Sequence, residues 1–176
     1  MIIVFTGNGK GKTTAALGQA IRAIGEGKKV LMVQFIKGPW KSGEDESAKL
    51  LAPNFKLVKT GKGFVGIMGD MLPREEHQEA AEEGLALARR EIESGNWDIV
   101  ILDEINNAVS LSLISKEKVL ELINSLNSAT HQPEHLILTG RDAPQEFIDA
   151  ADLVTEMRDI KHPYEKGIKG KRGLEY

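Results

Sequence analysis

The sequence of 176 residues contains no cysteine, and aromatic residues make up only 5% of it. The absence of cysteine excludes disulfides, thiolate metal sites and cysteine nucleophiles, so any electron that the chemistry requires has to come from another molecule. No apolar run approaches the roughly 20 residues that a membrane-spanning helix needs. The net charge of −3 lacks the positive excess of a general nucleic-acid-binding protein. We therefore expect a protein that binds neither membranes nor nucleic acid.

A short apolar run at the start of the sequence leads directly into a glycine-rich segment at Gly7. That arrangement leaves no room for a secretory signal peptide, so we expect a cytoplasmic protein. The composition, 41% hydrophobic and 28% charged, is that of an ordinary globular protein. A chain of this length can bury a sizeable core as one domain, and it contains no repeat or linker. We expect a single domain over residues 1–176.

A glycine-rich turn between an apolar strand and a helix is the strongest motif in the sequence. The strand is predicted at Ile2–Phe5 and the helix from Lys12. Glycines let successive N–H groups point at one anion, the helix start adds a partial positive charge, and Lys12 adds a full one. This pattern predicts a phosphate-binding loop in which the Thr13 hydroxyl is a ligand of Mg²⁺. The candidate nucleotide-binding residues are Gly7, Asn8, Gly9, Lys10, Gly11, Lys12, Thr13 and Thr14.

A second buried strand, predicted at residues 97–104, ends in Asp103 and Glu104. In phosphate-loop proteins such a strand is expected beside the first strand, where its terminal carboxylate faces the Mg²⁺ held near the threonine. The alternative is an acidic pair that caps the next helix. The order of the elements favours the first interpretation, which makes Thr13, Asp103 and Glu104 the candidate Mg²⁺ site.

Two arginines have less decisive surroundings in the sequence. Arg141 follows an apolar strand and a glycine, so it either contacts phosphate bidentately or pairs with Asp142 on the surface. Arg22 falls in the third turn of the first helix, where the chemistry of the residue alone favours a solvated helix face.

Three loop features leave alternatives open. Residues 60–69 contain four glycines around an exposed Phe64, which is typical of either a ligand-binding wall or a loop with one buried anchor. Trp40 is either a stacking surface or a core cap. The acidic cluster at residues 44–46 is either a metal site or, as charge runs usually are, a solvated loop; the second interpretation is favoured.

Strands and helices alternate along the chain with short connections. This pattern predicts an α/β fold of three layers, similar to the phosphate-loop NTPases of the RecA-like type, with a mostly parallel sheet of about six strands. Ligands of such sheets bind outside the carboxyl ends of the strands. The phosphate loop, the acidic pair and Arg141 are all predicted at that edge.

Together these motifs resemble the phosphate-loop type of ATP:corrinoid adenosyltransferase. The phosphate loop lacks the usual first glycine, which stands one place late at Gly7, and that off-register form is itself the family's. The resemblance covers nearly the whole chain. Its matching stretches are residues 6–16, 33–38, 63–64, 102–104, 138–141, 151–156, 161–163 and 167–176.

The resemblance implies a specific reaction. Such enzymes move the 5′-deoxyadenosyl group of ATP to the reduced cobalt, Co(I), of a corrinoid and release triphosphate. Because Co(I) is a strong nucleophile, the protein has to exclude water, align C5′ with cobalt and neutralise the leaving group. By resemblance, Lys12, Thr13, Glu104 and Arg141 serve catalysis, Arg22 joins the triphosphate-binding residues, and Phe64 contacts the corrinoid.

The resemblance also implies co-substrates and partners. These are Mg-ATP with Mg²⁺ or Mn²⁺, a reduced corrinoid, an external flavodoxin-like reductase and a second copy of the chain in a homodimer. Many relatives have an aromatic residue where Gly66 stands, associated with removal of the lower cobalt ligand. Many also carry an N-terminal extension, and an aromatic residue where Asn107 stands. A preference for corrinoids without a lower ligand is therefore one hypothesis.

Two other functions remain open on the residues alone. The first is a phosphate-loop ATPase that drives a partner, with Glu104 positioning water. The second is a non-catalytic nucleotide-binding module, which the glycine at position 66 keeps in consideration. The phosphate product separates transfer from hydrolysis, because transfer releases triphosphate and hydrolysis releases ADP and phosphate.

Overall fold

The structure of the protein, a computed structural model, describes residues 1–67, 69–126, 132–163, 167 and 170–174. The C-terminal stretch that contributes to the resemblance lies partly outside these residues. The strands are β1 (Ile2–Thr6), β2 (Val30–Gln34), β3 (Phe55–Lys59), β4 (Ile99–Asp103), β5 (His135–Thr139) and β6 (Leu153–Glu156). The helices are α1 (Lys12–Gly25), α2 (Gly43–Leu51), α3 (Arg74–Glu93), α4 (Ile105–Ser110), α5 (Lys116–Ser125) and α6 (Gln145–Ala150).

The six strands form one sheet in the order β3-β2-β4-β5-β1-β6, and every neighbouring pair is parallel. The predicted α/β fold with a largely parallel sheet is confirmed. One expectation was wrong, because β4 does not lie beside β1. β5 pairs with both strands and separates them. The carboxyl ends of β1, β5 and β4 therefore form a row, with the phosphate loop at one end and the acidic pair at the other.

Side chains that alternate along the strands supply two cores, one on each face of the sheet, which gives the predicted three layers. One core gathers helices α3, α4, α5 and α6, and the other gathers α1 and α2. Within β4, for example, Val100 and Leu102 belong to the first core, while Ile99 and Ile101 belong to the second. Strands buried on both faces explain why these segments are continuous apolar runs in the sequence.

The acidic cluster at residues 44–46, expected in a loop, forms the first turn of helix α2. Ser42 precedes the helix, and its backbone N–H donates to Asp45 Oδ2 at 2.7 Å, as in a capping box. Glu44 pairs with Lys37 and Asp45 pairs with Lys59, so both carboxylates bind lysines at the ends of β2 and β3. The interpretation as a solvated loop was wrong, because acids in a first turn are stabilised by the helix dipole.

A fully buried carboxylate ties three strand ends together. Asp103, the last residue of β4, accepts from Gln34 Nε2 at 2.9 Å on one oxygen and from Thr139 Oγ1 at 2.7 Å on the other. Gln34 ends β2 and Thr139 ends β5. Thr139 Oγ1 also accepts from the backbone N–H of Glu104 at 2.9 Å. These hydrogen bonds fix the backbone position from which the Glu104 side chain extends toward the candidate site.

Thr139→Val should destabilise the protein by about 2–4 kcal/mol, because it leaves a carboxylate oxygen and the Glu104 N–H without their partner. Thr155→Val is a matched control on the exposed strand β6 and should change stability by less than about 0.5 kcal/mol. Denaturant unfolding of both variants measures the difference. Equal effects of the two substitutions would show that the tie contributes nothing.

Candidate active site

The phosphate loop joins β1 to α1 through two glycines with positive φ, Gly7 at 91° and Gly11 at 122°. Gly11 is the N-cap of α1. Lys12 Nζ donates to the carbonyl oxygens of Gly7 at 2.6 Å and Gly9 at 2.7 Å, so the ammonium group lies over the loop. The loop thus presents a lysine and a helix N-terminus together, which is the arrangement that binds phosphate.

The back of the phosphate loop packs against the chain that follows β6. The Gly9 N–H donates to Met157 O at 2.7 Å. A Cβ added at Gly9 would lie 2.6 Å from Arg158 O, and one at Gly7 would lie 2.4 Å from Met157 O. These glycines are needed for close packing as well as for the turn. The Gly9 N–H already has a protein acceptor and is therefore not available to a phosphate.

The remaining loop residues differ in their surroundings. Asn8 is exposed, and Lys10 Nζ donates to Leu174 O at 2.7 Å. Thr13 lines a cavity beside Lys12, while Thr14 lines only a second cavity between α1 and α2. The hydroxyl of Thr13 is therefore the one that shares a cavity with the acidic residue Glu104.

Arg22 lies exposed in the last turn of α1. It is ten residues from Lys12, which corresponds to roughly 15 Å along the helix axis. The structure does not bring Arg22 to the phosphate loop of the same chain.

Glu104 adopts a left-handed backbone conformation, with φ of 64°, at the start of α4. Such a conformation is strained for a residue with a side chain and is found most often at functional sites. The side chain makes no capping hydrogen bond to α4, so the alternative of a simple helix cap is not supported. Burial, with a smaller contribution from Asp103, raises the pKa of Glu104 to about 7. Its charge is therefore sensitive to a cation placed beside it.

Cations surround this carboxylate. Burial lowers the pKa of Lys12, and the nearby guanidinium of Arg141 lowers it further. Burial also favours neutral Lys37, but Asp103 and the ion pair with Glu44 outweigh it and raise the pKa of Lys37. Lys37, Lys12 and Arg141 thus each lower the pKa of Glu104 and oppose the effect of its burial.

Helix α4 holds the turn that carries Arg141. Asn106 Nδ2 donates to Gly140 O at 3.2 Å, and Asn107 Oδ1 accepts from the Arg141 N–H at 2.9 Å. A Cβ at Gly140 would lie 2.6 Å from Asn107 Oδ1, so only glycine permits this approach. The alternative of a surface pair between Arg141 and Asp142 is absent from the salt bridges among the described residues. Arg141 instead lines the same cavity as Lys12.

Two cavities meet beside the phosphate loop. The first, the polar cavity, measures about 550 Å³ and is lined by Lys12, Thr13, Glu104, Asn107 and Arg141, among others. The second, the apolar cavity, measures about 580 Å³ and lies between the ends of β2 and β3 and the start of α2. Ile36, Phe64 and Glu104 line both. The two cavities therefore adjoin at these residues, and together they are called the cleft, with the polar cavity as its cationic arm and the other as its apolar arm.

Two aromatic rings form the mouth of the apolar cavity. Trp40 and Phe64 lie with ring centroids 5.6 Å apart and planes inclined by 35°. Their exposed fractions are 59% and 46%, so Trp40 is not a core cap. A Cβ at Gly63 would lie 2.7 Å from the Trp40 ring, which shows how closely the glycine-rich segment packs against it. An exposed aromatic pair beside a cleft is suited to contact a large apolar ligand.

Several residues of the site were missed by sequence reasoning. Gln34 and Thr139 hold Asp103, Asn107 holds the Arg141 turn, and Lys37 lies between carboxylates. Their signal is weak because each lies at the end of a strand or in the six-residue helix α4, where no periodicity marks it. Among the described residues no three His, Cys, Asp or Glu side chains converge to hold a metal. Nor does the described part of the chain contain a helix long and apolar enough to cross a membrane.

Comparison of the sequence with known proteins identifies the family of the chain. The model of the ATP:corrinoid adenosyltransferase family BtuR/CobO/CobP matches residues 1–176. The chain belongs to this family. Corrinoid adenosyltransferase of Escherichia coli strain K12 is 40% identical over 176 residues, covering all of this chain and 85% of the relative.

Other members of the family are similar over the same length. Corrinoid adenosyltransferase CobA of Salmonella typhimurium is 37% identical over 178 residues, with all of this chain and 85% of the relative covered. Corrinoid adenosyltransferase of Pseudomonas aeruginosa is 35% identical over 176 residues, with 83% of the relative covered. Membership confirms the predicted transferase class, with ATP and a corrinoid as the family's substrates, and does not favour the ATPase alternative.

Gly9→Ala should lower ATP affinity at least tenfold, because the added methyl group collides with Arg158 O and displaces the loop. Gly18→Ala is the matched control within α1, where an added Cβ meets nothing within 4 Å. It should stabilise the protein by up to about 1 kcal/mol and leave ATP affinity unchanged. Calorimetric titration with ATP measures both, and unchanged affinity in Gly9→Ala would contradict the close-packed loop.

Glu104→Gln should remove part of the pH dependence of stability. Since the folded pKa of about 7 lies above the ordinary value of 4.5, Glu104 stabilises the fold most below pH 4.5, and that stabilisation is lost as pH rises through 7. Between pH 5 and pH 9 the wild-type protein should therefore lose up to about 3 kcal/mol relative to the variant. Denaturant unfolding of both proteins measures the free energy of unfolding across this pH range. Parallel pH profiles of the two proteins would contradict a buried carboxyl group with a raised pKa.

Proposed function

We propose that the joined cleft is where the 5′-deoxyadenosyl group of ATP passes to the Co(I) of a corrinoid. The observation that carries the proposal is that the cationic and apolar arms share Ile36, Phe64 and Glu104. A triphosphate needs cationic surroundings and a large macrocycle needs apolar ones. Transfer between them requires C5′ and cobalt to meet, which is possible where the two arms adjoin. In this reaction Co(I) attacks C5′, a cobalt–carbon bond forms, the C5′–O bond breaks, and triphosphate leaves with the bonding electron pair.

The polar cavity suits the triphosphate. Lys12 and Arg141 lie close enough for their charges to interact, and the N-terminus of α1 adds unpaired N–H groups. Negative charge grows on the oxygen that leaves C5′, so these fixed cations stabilise the transition state more than the bound substrate. Two loop carbonyls hold the Lys12 ammonium group over the loop, and Asn107 holds the backbone from which the Arg141 side chain extends.

The donor set fits a magnesium ion that is shared with phosphate. The Thr13 hydroxyl and the Glu104 carboxylate line one cavity, and Mg²⁺ is commonly bound by one or two carboxylates with the remaining positions filled by phosphate and water. When bound, Mg²⁺ or Mn²⁺ neutralises charge on the triphosphate. Both oxygens of Asp103 already accept hydrogen bonds from side chains. Asp103 therefore acts by orienting Glu104 rather than as the main ligand.

The apolar cavity suits the corrinoid. Phe64 and Trp40 offer aromatic rings at this cavity, where they can contact the apolar macrocycle. Gly66 has φ of 69°, and a Cβ added there would meet nothing within 4 Å, so no side chain fills this position. A corrinoid without a lower ligand needs no aromatic group to displace one, and we expect such a substrate to be preferred.

Four features of the proposal rest on the resemblance alone. They are an external flavodoxin-like reductase, a homodimer, a cytoplasmic setting and a contact of Arg22 with the nucleotide. The position of Arg22 gives no support for a contact within one chain.

An anaerobic reaction tests the proposal. The protein is mixed with Mg-ATP and Co(I) cobinamide or Co(I) cobalamin, the visible spectrum is followed, and the phosphate product is identified. We expect loss of the Co(I) band with one triphosphate per corrinoid, and a higher rate with cobinamide. Release of ADP and phosphate without a spectral change would overturn transfer in favour of hydrolysis. A clear advantage for cobalamin would overturn only the substrate preference.

Phe64→Ala should raise the KM for corrinoid about tenfold or more and leave the KM for ATP within about twofold, since it removes a ring from the apolar mouth. Leu50→Ala is a matched control, because Leu50 is 85% exposed on α2 and lines neither arm of the cleft. Steady-state kinetics with each substrate varied in turn separates the two constants. A selective rise in the KM for ATP would place the corrinoid elsewhere.

A further inference from the structure

The segment between β3 and α3 supplies one wall of the cleft. Its residues Phe64, Val65 and Ile67 line the polar cavity, and Phe64 also lines the apolar cavity. Before Phe64, the segment is held by the Gly63 N–H, which donates to Ile36 O at 3.1 Å. A second anchor is needed after Phe64, because glycines leave a chain free to move unless other contacts fix it.

Asp70 supplies that second anchor from within the segment. Its Oδ2 accepts from the Gly66 N–H at 2.8 Å, and its Oδ1 accepts from the Leu72 N–H at 3.1 Å. These backbone donors, followed by a smaller contribution from His77, lower the pKa of Asp70. One carboxylate thus closes a turn whose first residue stands between the cavity-lining residues Val65 and Ile67.

His77 fixes the carboxylate to the body of the protein. It lies in the first turns of α3 and is only 3% exposed, and its Nε2 lies 3.1 Å from Asp70 Oδ1 and 3.0 Å from Oδ2. The same end of α3 contacts the segment after α4, where Arg74 donates to Leu111 O and Gln78 Nε2 donates to Ser112 O at 3.1 Å. Leu111 lines the polar cavity. The start of α3 therefore supports two walls of the cleft.

The segment that this pair holds is apolar and exposed. Ile67 is 60% exposed, Met71 is 93% exposed and Leu72 is 39% exposed. Of these, Ile67 lines the polar cavity together with Phe64. A fixed, apolar rim of this kind favours contact with a large flat substrate over a small polar one.

We propose that His77 and Asp70 are positioning residues for the corrinoid: they hold the turn at Gly66 and thereby fix Phe64 where the two cavities adjoin. The proposal rests on the proposed function, which assigns Phe64 to the corrinoid. Neither His77 nor Asp70 lines the cleft, so both act through the backbone of the turn. Fixing Phe64 lowers the ordering cost of binding, which is expected in corrinoid affinity more than in ATP affinity.

Kinetics of His77→Leu and His77→Gln provide the first test. Leucine fills the buried space without a donor, whereas glutamine places an amide nitrogen near the position of Nε2. We expect His77→Leu to raise the KM for corrinoid about tenfold, to keep the KM for ATP within twofold, and to be rescued by His77→Gln. Glu79→Ala, at an exposed position of the same helix, is the control and should behave as wild type. A parallel rise of both KM values would overturn the proposal.

Hydrogen exchange of the protein without substrate provides the second test and does not depend on the reaction. In His77→Leu, amides of residues 64–72 should exchange at least tenfold faster, while those of the phosphate loop and α1 stay unchanged. Unchanged exchange would show that His77 does not hold the turn even if transfer is confirmed. If the wild-type protein transfers no adenosyl group, the proposed function fails while exchange still decides whether His77 holds the turn. Asp70→Asn replaces one acceptor by a donor and serves as the second variant if His77→Leu does not fold.

Discussion

The buried carboxylate of Asp103 is the constraint on which the site depends. A carboxyl group is costly to bury unless each oxygen is hydrogen-bonded, and Gln34 and Thr139 meet that requirement from the strands on either side. Since the three residues end β2, β4 and β5, satisfying one carboxyl group aligns three strand ends. Thr139 also receives the Glu104 N–H, so the same contact sets the left-handed turn that directs Glu104 into the cleft.

Close backbone packing is the second constraint, and it explains the glycines better than flexibility does. Gly9 lies against Arg158, Gly140 against Asn107 and Gly63 against Trp40, each so near that a methyl group would collide. These contacts bring elements far apart in the sequence to one edge of the sheet. The cationic arm of the cleft is built on the first two contacts and the apolar arm on the third. The proposed binding of two unlike substrates side by side depends on this shared edge.

The fold and the centre of the site were predictable because their signals are local. Continuous apolar strands, alternating helices and the glycine-lysine-threonine turn predicted a parallel sheet with a phosphate loop, and Asp103 and Glu104 were found from the strand before them. Two predictions were wrong. β4 was expected beside β1, but strand order depends on which strands pair across the sheet. Residues 44–46 were expected in a loop, but the start of helix α2 depends on a capping hydrogen bond that the acidic run does not reveal. His77 was missed because nothing in the sequence marks its pairing with the Asp70 carboxylate, and the role of Asn107 was missed because its partner, the Arg141 N–H, is 34 residues away.

The structure of the protein bound to Mg-ATP and a corrinoid is the most direct test of the central claim, that transfer occurs where the two arms of the cleft meet. The account predicts phosphates beside Lys12 and Arg141, the macrocycle against Phe64 and Trp40, and C5′ facing cobalt near Glu104. A corrinoid bound outside the apolar arm, or an adenosyl group directed into the cavity between α1 and α2 and away from Phe64, would contradict it.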